Sequence, residues 1–362
     1  MLGQVCSELG EPDSAIDHLI DALRWDPKNK NALTMMGNIW ARDKKDMETA
    51  LKYYEAVLTL APTDHLAANN VAVQFLNAGR FDEAEHWFQK ALEIEPEYAN
   101  AHHGLALACQ RKGDLRSAFF EATQAMMFDP KRDDLYRHSL KLAWDLALEL
   151  YELVDAPGLV QAMADELAQM AGKPVKVVAD EATVTPAKLE VAEVYGRPEH
   201  VVRYKPEQPA AEHLVMHELY HLRYILEARE EGANLLFTSG PAARLQFHKD
   251  QAKYRNRLVK EGIDPDSADK YLGSIFEGMN RQVYNAPLDL CIEYDIYHDQ
   301  PDMRPAQFLS MMELVATAVQ ATTEKRIVAL SPPDILSKSK VYSLTLAMVY
   351  REYFGVDRVD DF

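Results

Sequence analysis

Long apolar runs are missing from this chain of 362 residues. Stretches such as Ala143-Trp144-Asp145-Leu146-Ala147-Leu148-Glu149 are broken by acids every few positions, so nothing approaches the roughly 18 consecutive apolar residues of a membrane span. Basic charge is also in deficit. With 39 lysines and arginines against 57 acids, the net charge of −18 repels polyphosphate and anionic lipid, which argues against nucleic acid or membrane as a partner. Cysteine is scarce: Cys6, Cys109 and Cys291 are odd in number and far apart, which excludes a disulfide framework and reads as reduced thiols packed in helical cores. No basic segment leading into an apolar one follows Met1, so no signal peptide is expected and a cytoplasmic location is the default. Glycine and proline number only 15 and 18 while 48% of residues are hydrophobic, the profile of a well-packed protein, and the length suggests two domains.

What the first third does have is a period near 34 residues. Prolines recur at Pro27, Pro62, Pro96 and Pro130, and alanines at Ala15, Ala50, Ala84 and Ala118. Gly10, Gly79 and Gly113 fall five positions before the alanine, at a turn between two helices, and Ala22, Val57, Ala91 and Ala125 follow seven positions after it. The second repeat is one residue longer around Lys44 to Met47. Leu2-Gly3, Met36-Gly37 and Val71-Ala72, with Trp40 and Phe75, complete the pattern. These positions resemble the tetratricopeptide repeat, in which small residues let paired helices approach closely and a proline ends the second helix. The resemblance covers residues 1–135 and implies an α-solenoid whose concave face holds a protein or peptide partner, or which serves as a rigid support. The chain opens part-way into the first helix of a repeat, which suggests a protein that begins further upstream or else a short first helix. Residues 136–172 stay helical but leave the register, as a capping helix and connection would.

At Gly172-Lys173-Pro174 the helical period stops. Three segments rich in β-branched residues follow, Val175 to Val178, Leu189 to Val194 and Val201 to Tyr204, the last two expected as an antiparallel pair joined at Gly196-Arg197-Pro198. Helix resumes near Ala210 with Glu212 in its first turn, breaks at Pro332-Pro333 and stops at Gly355. Residues 173–362 are thus a small sheet followed by helices, and the expected class is mainly α, with an α+β second domain.

The helix after the sheet carries His217-Glu218-Leu219-Tyr220-His221. Histidines four apart project from one helical face and can share one zinc ion, while Glu218 next to the first is placed to take a proton from an attacking water without coordinating the metal. Leu214, Val215, Met216, Leu219, Tyr220 and Leu222 surround the motif, as a buried helix requires, with Arg223 as the exception. His213, eight residues from His221, is about 12 Å away along the helix and cannot share its ion, which suits a helix-end or cleft residue. A catalytic zinc needs a third ligand from downstream. Glu293, set among apolar residues, is the expected one, with Asp289 one turn earlier as the carboxylate that orients a histidine or as the alternative ligand, and Asp295 after them.

A strand just before a His-Glu-x-x-His helix, with a distant helical glutamate, resembles the zincin peptidases and among them the gluzincins, although the position four after Glu293 is Tyr297 where an acid is usual. The resemblance implies zinc-dependent peptide-bond hydrolysis with Glu218 as general base and His217, His221 and Glu293 as ligands. It implies an oxyanion donor among Tyr224, Tyr284, Tyr294 and His248, and a substrate lying along an edge strand at His200-Val201-Val202-Arg203-Tyr204, so that Val202, Arg203 and Tyr204 line its groove. Charged helices between Gly240 and Tyr284 would either cover the cleft or form a solvated hairpin. The competing expectation is a repeat scaffold in which the second domain has no catalytic role.

Overall fold

The computed structural model describes residues 2–233 and 239–362; Met1, where the first repeat was expected to open, lies outside the described residues. The chain divides into two compact units, Met1–Leu146 with Phe354–Val356, and Ala147–Tyr353 with Asp357–Phe362.

In the first unit, eight helices form four successive pairs: α1 (Leu2–Glu8) with α2 (Pro12–Trp25), α3 (Lys30–Arg42) with α4 (Met47–Leu60), α5 (His65–Asn77) with α6 (Phe81–Ile94), and α7 (Ala99–Lys112) with α8 (Leu115–Met127). The periodic residues account for this. Ala15, Ala50, Ala84 and Ala118 are fully buried where helices touch. A side chain is excluded at two of the small positions, because a Cβ on Gly37 would lie 2.4 Å from the ring of Tyr54 and one on Gly104 would lie 2.2 Å from that of Phe88. Pro27, Pro62, Pro96 and Pro130 each fall just past the second helix of a pair, where a residue without an N–H cannot continue it. Between the paired helices Gly10, Gly79 and Gly113 take positive φ, and the longer second repeat does the same with Lys45 at φ 54°. Asn29, Asp46, Asp64 and Asp114 cap their helices through side-chain oxygens. The helix α9 (Asp134–Leu153) follows them.

The second unit contains α10 (Ala156–Ala171), then three strands, β1 (Val175–Ala179), β2 (Ala187–Glu190) and β3 (His200–Tyr204), with the single turn α11 (Ala192–Tyr195) between the last two. Their order in the sheet is β1-β3-β2, with β1 parallel to β3 and β2 antiparallel to it in the register Leu189 opposite Val202. Two expectations are corrected here. The second strand ends at Glu190 rather than Val194, because the chain coils into α11 and turns at Gly196, φ 62°, to bring β3 alongside. More consequentially, β3 is the central strand. Its backbone pairs on both sides, so Val202, Arg203 and Tyr204 cannot receive a substrate chain, and the edge of the sheet on the side of the motif helix is β2.

The motif helix α12 (Ala211–Glu230) packs against the sheet, α10, α15 and α16, which explains why apolar residues surround most of its first half. Next come α13 (Pro241–Asp250), α14 (Ala252–Lys260), the 35-residue α15 (Pro265–Asp299), α16 (Arg304–Thr323), α17 (Lys325–Leu330) and α18 (Pro333–Phe354), the last stopped by Gly355 at φ 69°. Between Gly240 and Tyr284 the charged helices close on a small core of their own, formed by Tyr254, Leu258, Ala268 and Leu272. The thiols differ from the expectation of three core residues: Cys109 is buried, Cys6 half-buried and Cys291 exposed on α15. Among the described residues no helix is long and apolar enough to cross a membrane.

Candidate metal centre

Two helices build the site. From α12 come His213, His217 and His221, one turn apart on a face pressed against α15, which supplies Asp289 and Glu293 one turn apart in return, and Glu218 beside His217 on the side of the sheet. Pro287, inside α15 two residues before Asp289, lacks the N–H that would bond the carbonyl of Val283. His217, His221 and Asp289 each offer a ligand atom, and these atoms lie within 4.8 Å of one another. Asp289 Oδ1 is 3.1 Å from His221 Nε2 and 3.4 Å from His217 Nε2. Ligands bound to one zinc at about 2.0–2.2 Å in a tetrahedron are about 3.3–3.5 Å apart, so the spacing is that of two adjacent edges of such a site. The same oxygen is buried and has no aligned hydrogen-bond donor. A cation between the three groups would satisfy it.

Glu293 is not in that group of three. Its carboxylate, 2% exposed, lies behind the histidines, where Oε1 accepts from His217 Nδ1 at 2.9 Å and Oε2 from His213 Nε2 at 3.0 Å and Gln307 Nε2 at 2.7 Å. The two acids are placed the other way round from the expectation: Asp289 faces the Nε2 atoms, and Glu293 accepts from the far nitrogen of His217. A carboxylate on Nδ1 sets the tautomer that leaves the Nε2 lone pair for a metal. The arrangement departs from the gluzincin pattern, whose third ligand is a glutamate. Asp295, the weaker alternative, accepts from the hydroxyl of Tyr224 and is not part of the group.

Electrostatics follow from this packing. Burial disfavours charge on both Glu293 and His217, yet each supplies the other's counter-charge. Glu293, with His213 as a second partner, is held well below the usual carboxylate range, and His217, bonded to Asp289 and Glu293, is pushed up to about 10. Asp289 is lowered as well, its partial burial outweighed by His217 and His221.

His213 sits in the first turn of α12, the helix-end placement expected, and not in a cleft. It is fully buried, with one ring nitrogen on Glu293 and Nδ1 on the hydroxyl of Ser310. Gln307 also donates to the backbone carbonyl of Glu293 at 2.9 Å. Ser310 and Gln307, both on α16, escaped the sequence reading; the signal available was an amide and a hydroxyl three residues apart in the otherwise apolar run from Pro305 to Met312. Glu218 leans toward the sheet, where Oε2 accepts from the backbone N–H of Leu189 on β2 at 2.8 Å. Of the expected oxyanion donors, Tyr224 is committed to Asp295 and Tyr284 shares a hydrogen bond with Ser239. Tyr294 packs on the ring of His298, and His248 edges against Phe247.

Comparison with known proteins bears on the first unit. A family model described as tetratricopeptide repeat matches residues 1–65, and another described as TPR repeat matches residues 74–113. The chain is 32% identical over 131 residues, 36% of its length, to the cellulose synthase operon protein C of Komagataeibacter xylinus. It is 27% identical over 75 residues, 21% of its length and 12% of the relative's, to the peroxisomal targeting signal receptor of Saccharomyces cerevisiae. It spans about a tenth of the length of the first of these relatives. Among solved structures, MamA from Desulfovibrio magneticus covers 42% of this chain and 93% of its own at 21% identity, with a TM-score of 0.32. The period, the helix pairs and the family matches agree: the first third of the chain is an array of tetratricopeptide repeats, a class of protein-interaction scaffold.

Proposed function

We propose that the second unit is a zinc-dependent hydrolase of peptide bonds acting on selected protein substrates, and that the repeat array binds a partner or a substrate for it. The observation that carries this reading is the buried Oδ1 of Asp289, without an aligned hydrogen-bond donor, at zinc-edge distances from two imidazole Nε2 atoms. His217, His221 and Asp289 would hold the ion, and Glu293, itself held by His213 and Gln307, would orient His217. Three protein ligands leave a position open, as catalytic zinc sites do. When bound, zinc supplies Lewis acidity toward a scissile carbonyl and makes water easier to deprotonate.

The proton is the work of Glu218. Anchored by one oxygen to Leu189 N–H, it has the other to take a proton from the attacking water and return it to the leaving amine. Because the same bond joins it to the sheet edge on its side, a substrate strand added to β2 would lie beside the base. Hydrolysis of a mixed peptide library by the zinc-loaded protein, lost in Glu218→Gln with zinc content unchanged, is the expected outcome. A protein that holds zinc but cleaves nothing leaves the scaffold reading, which the repeat array by itself favours, and one that holds no zinc ends the hydrolytic reading.

A further inference from the structure

Asp289 has a second environment. Its side chain, partly exposed, also lines a cavity of about 300 Å³ between α15, α16 and α18. Along α15 the wall of that cavity runs Arg281, Asn285, Asp289, residues one turn apart on one helical face, so the backbone of the exposed Arg281 lies about 12 Å from that of Asp289 along the helix axis. Arg281 makes no hydrogen bond or ion pair among the described residues. It is the only cationic residue lining the cavity, in a chain whose net charge is −18. Asp289 is the one acid there, and its Oδ1 is turned toward His217 and His221, eight residues along α15 from Arg281. Leu290, Ala318 and Leu346 give it an apolar floor suited to a methylene stem.

The cavity also has a continuation. Gln282 donates to Ser339 at 3.0 Å, and both residues line a neighbouring cavity of about 200 Å³ walled by Ile275, Met279, Ile335 and Leu336.

We propose that the Arg281 cavity is a substrate subsite that takes the carboxylate side chain of a glutamate or aspartate three to four residues from the scissile bond, with an apolar residue preferred beyond it. The spacing follows from geometry, since about 12 Å corresponds to three or four residues of extended chain. A guanidinium pairs a carboxylate through two parallel hydrogen bonds, which an amide of the same shape cannot match. The proposal rests on the metal-dependent reading for its anchor at the zinc, and the test separates the two.

Zinc-loaded Glu218→Gln protein is titrated with alanine peptides bearing a hydroxamate at one end or the other, with a single Glu or Gln moved through successive positions and binding followed by fluorescence anisotropy. Glu is expected to bind about tenfold more tightly than Gln at the third or fourth position from the hydroxamate and nowhere else, an advantage that shrinks with added salt. Arg281→Glu should transfer that preference to Lys while leaving the all-alanine peptide unaffected. Equal affinity for Glu and Gln at every position, or a Glu preference that survives Arg281→Glu, overturns the subsite. If the hydroxamate adds nothing over a carboxamide, the metal reading fails, and the Glu-over-Gln comparison on the carboxamide peptides still decides the cavity.

Discussion

The two units bury their polar groups in opposite ways. In the repeat array the core is mostly small or apolar, with Ala15, Ala50, Ala84 and Ala118 repeating from one period to the next, and its buried His102 pairs with Glu121 alone among side chains. The second unit places two histidines, a carboxylate, an amide and a hydroxyl side by side, joined by hydrogen bonds between residues as far apart as His213 and Ser310. An array of local contacts tolerates a fault by losing one interface, since each repeat touches only its neighbours. A buried polar network does not, because removing one member strands the others without water.

The sharpest way to break this contrast is Glu293→Ala. It leaves His213, His217 and Gln307 facing an empty site, and a loss of about 3–5 kcal/mol is expected for a buried charged partner, together with loss of zinc binding. Urea unfolding followed by a probe in each unit should show the second unit weakened and the array unchanged; equal weakening of both would contradict the separation. In the array the matching lesion is Gly104→Ala, whose methyl group would lie 2.2 Å from the Phe88 ring. A cost of about 1–3 kcal/mol is expected in that unit alone, measured in the same way.

Acidity separates the units further. His217 has a folded pKa raised to about 10, above its unfolded value of about 6.5, so its contribution in the metal-free protein is complete below about pH 6.5 and fades as pH rises through 10. Glu293 has a lowered pKa, so its contribution is present above about pH 4.5 and fades as pH falls below that. The metal-free second unit should therefore be most stable between about pH 5 and 6.5 and lose stability toward alkaline pH. Zinc, competing for the His217 proton, should flatten that loss; denaturation curves across the range, with and without metal, check both statements.

The smallest effect is chemical. Cys291 is exposed and should react with a thiol reagent near pH 8 in the native protein, whereas Cys109, buried with its thiol pushed up to about 11, should react only when the array opens. The two labelling rates then report on the units independently.

Much of this was legible in the residues, and the limits have physical causes. Helix pairs, turns and the extra residue near Lys45 follow from a period, because repeat contacts are made between near neighbours in sequence. The strands were located but the middle one was extended too far, since Val191 to Val194 has strand-like composition and is turned into α11 by the need to reverse before β3. Glu293 and Asp289 were both found on α15, but not their roles. Burial alone favours the more apolar surroundings of Glu293, whereas which acid meets the Nε2 atoms depends on how α15 is rotated against α12.

The sequence by itself determined the repeat array and the helix bearing His217, Glu218 and His221, because periodicity and a four-residue spacing are properties of the chain alone. Only the tertiary structure decided that β3 is central, that Asp289 rather than Glu293 completes the group of three, and that Ser310 and Gln307 stand behind it. Strand order and helix rotation are set by packing between segments tens of residues apart, and no local pattern encodes them.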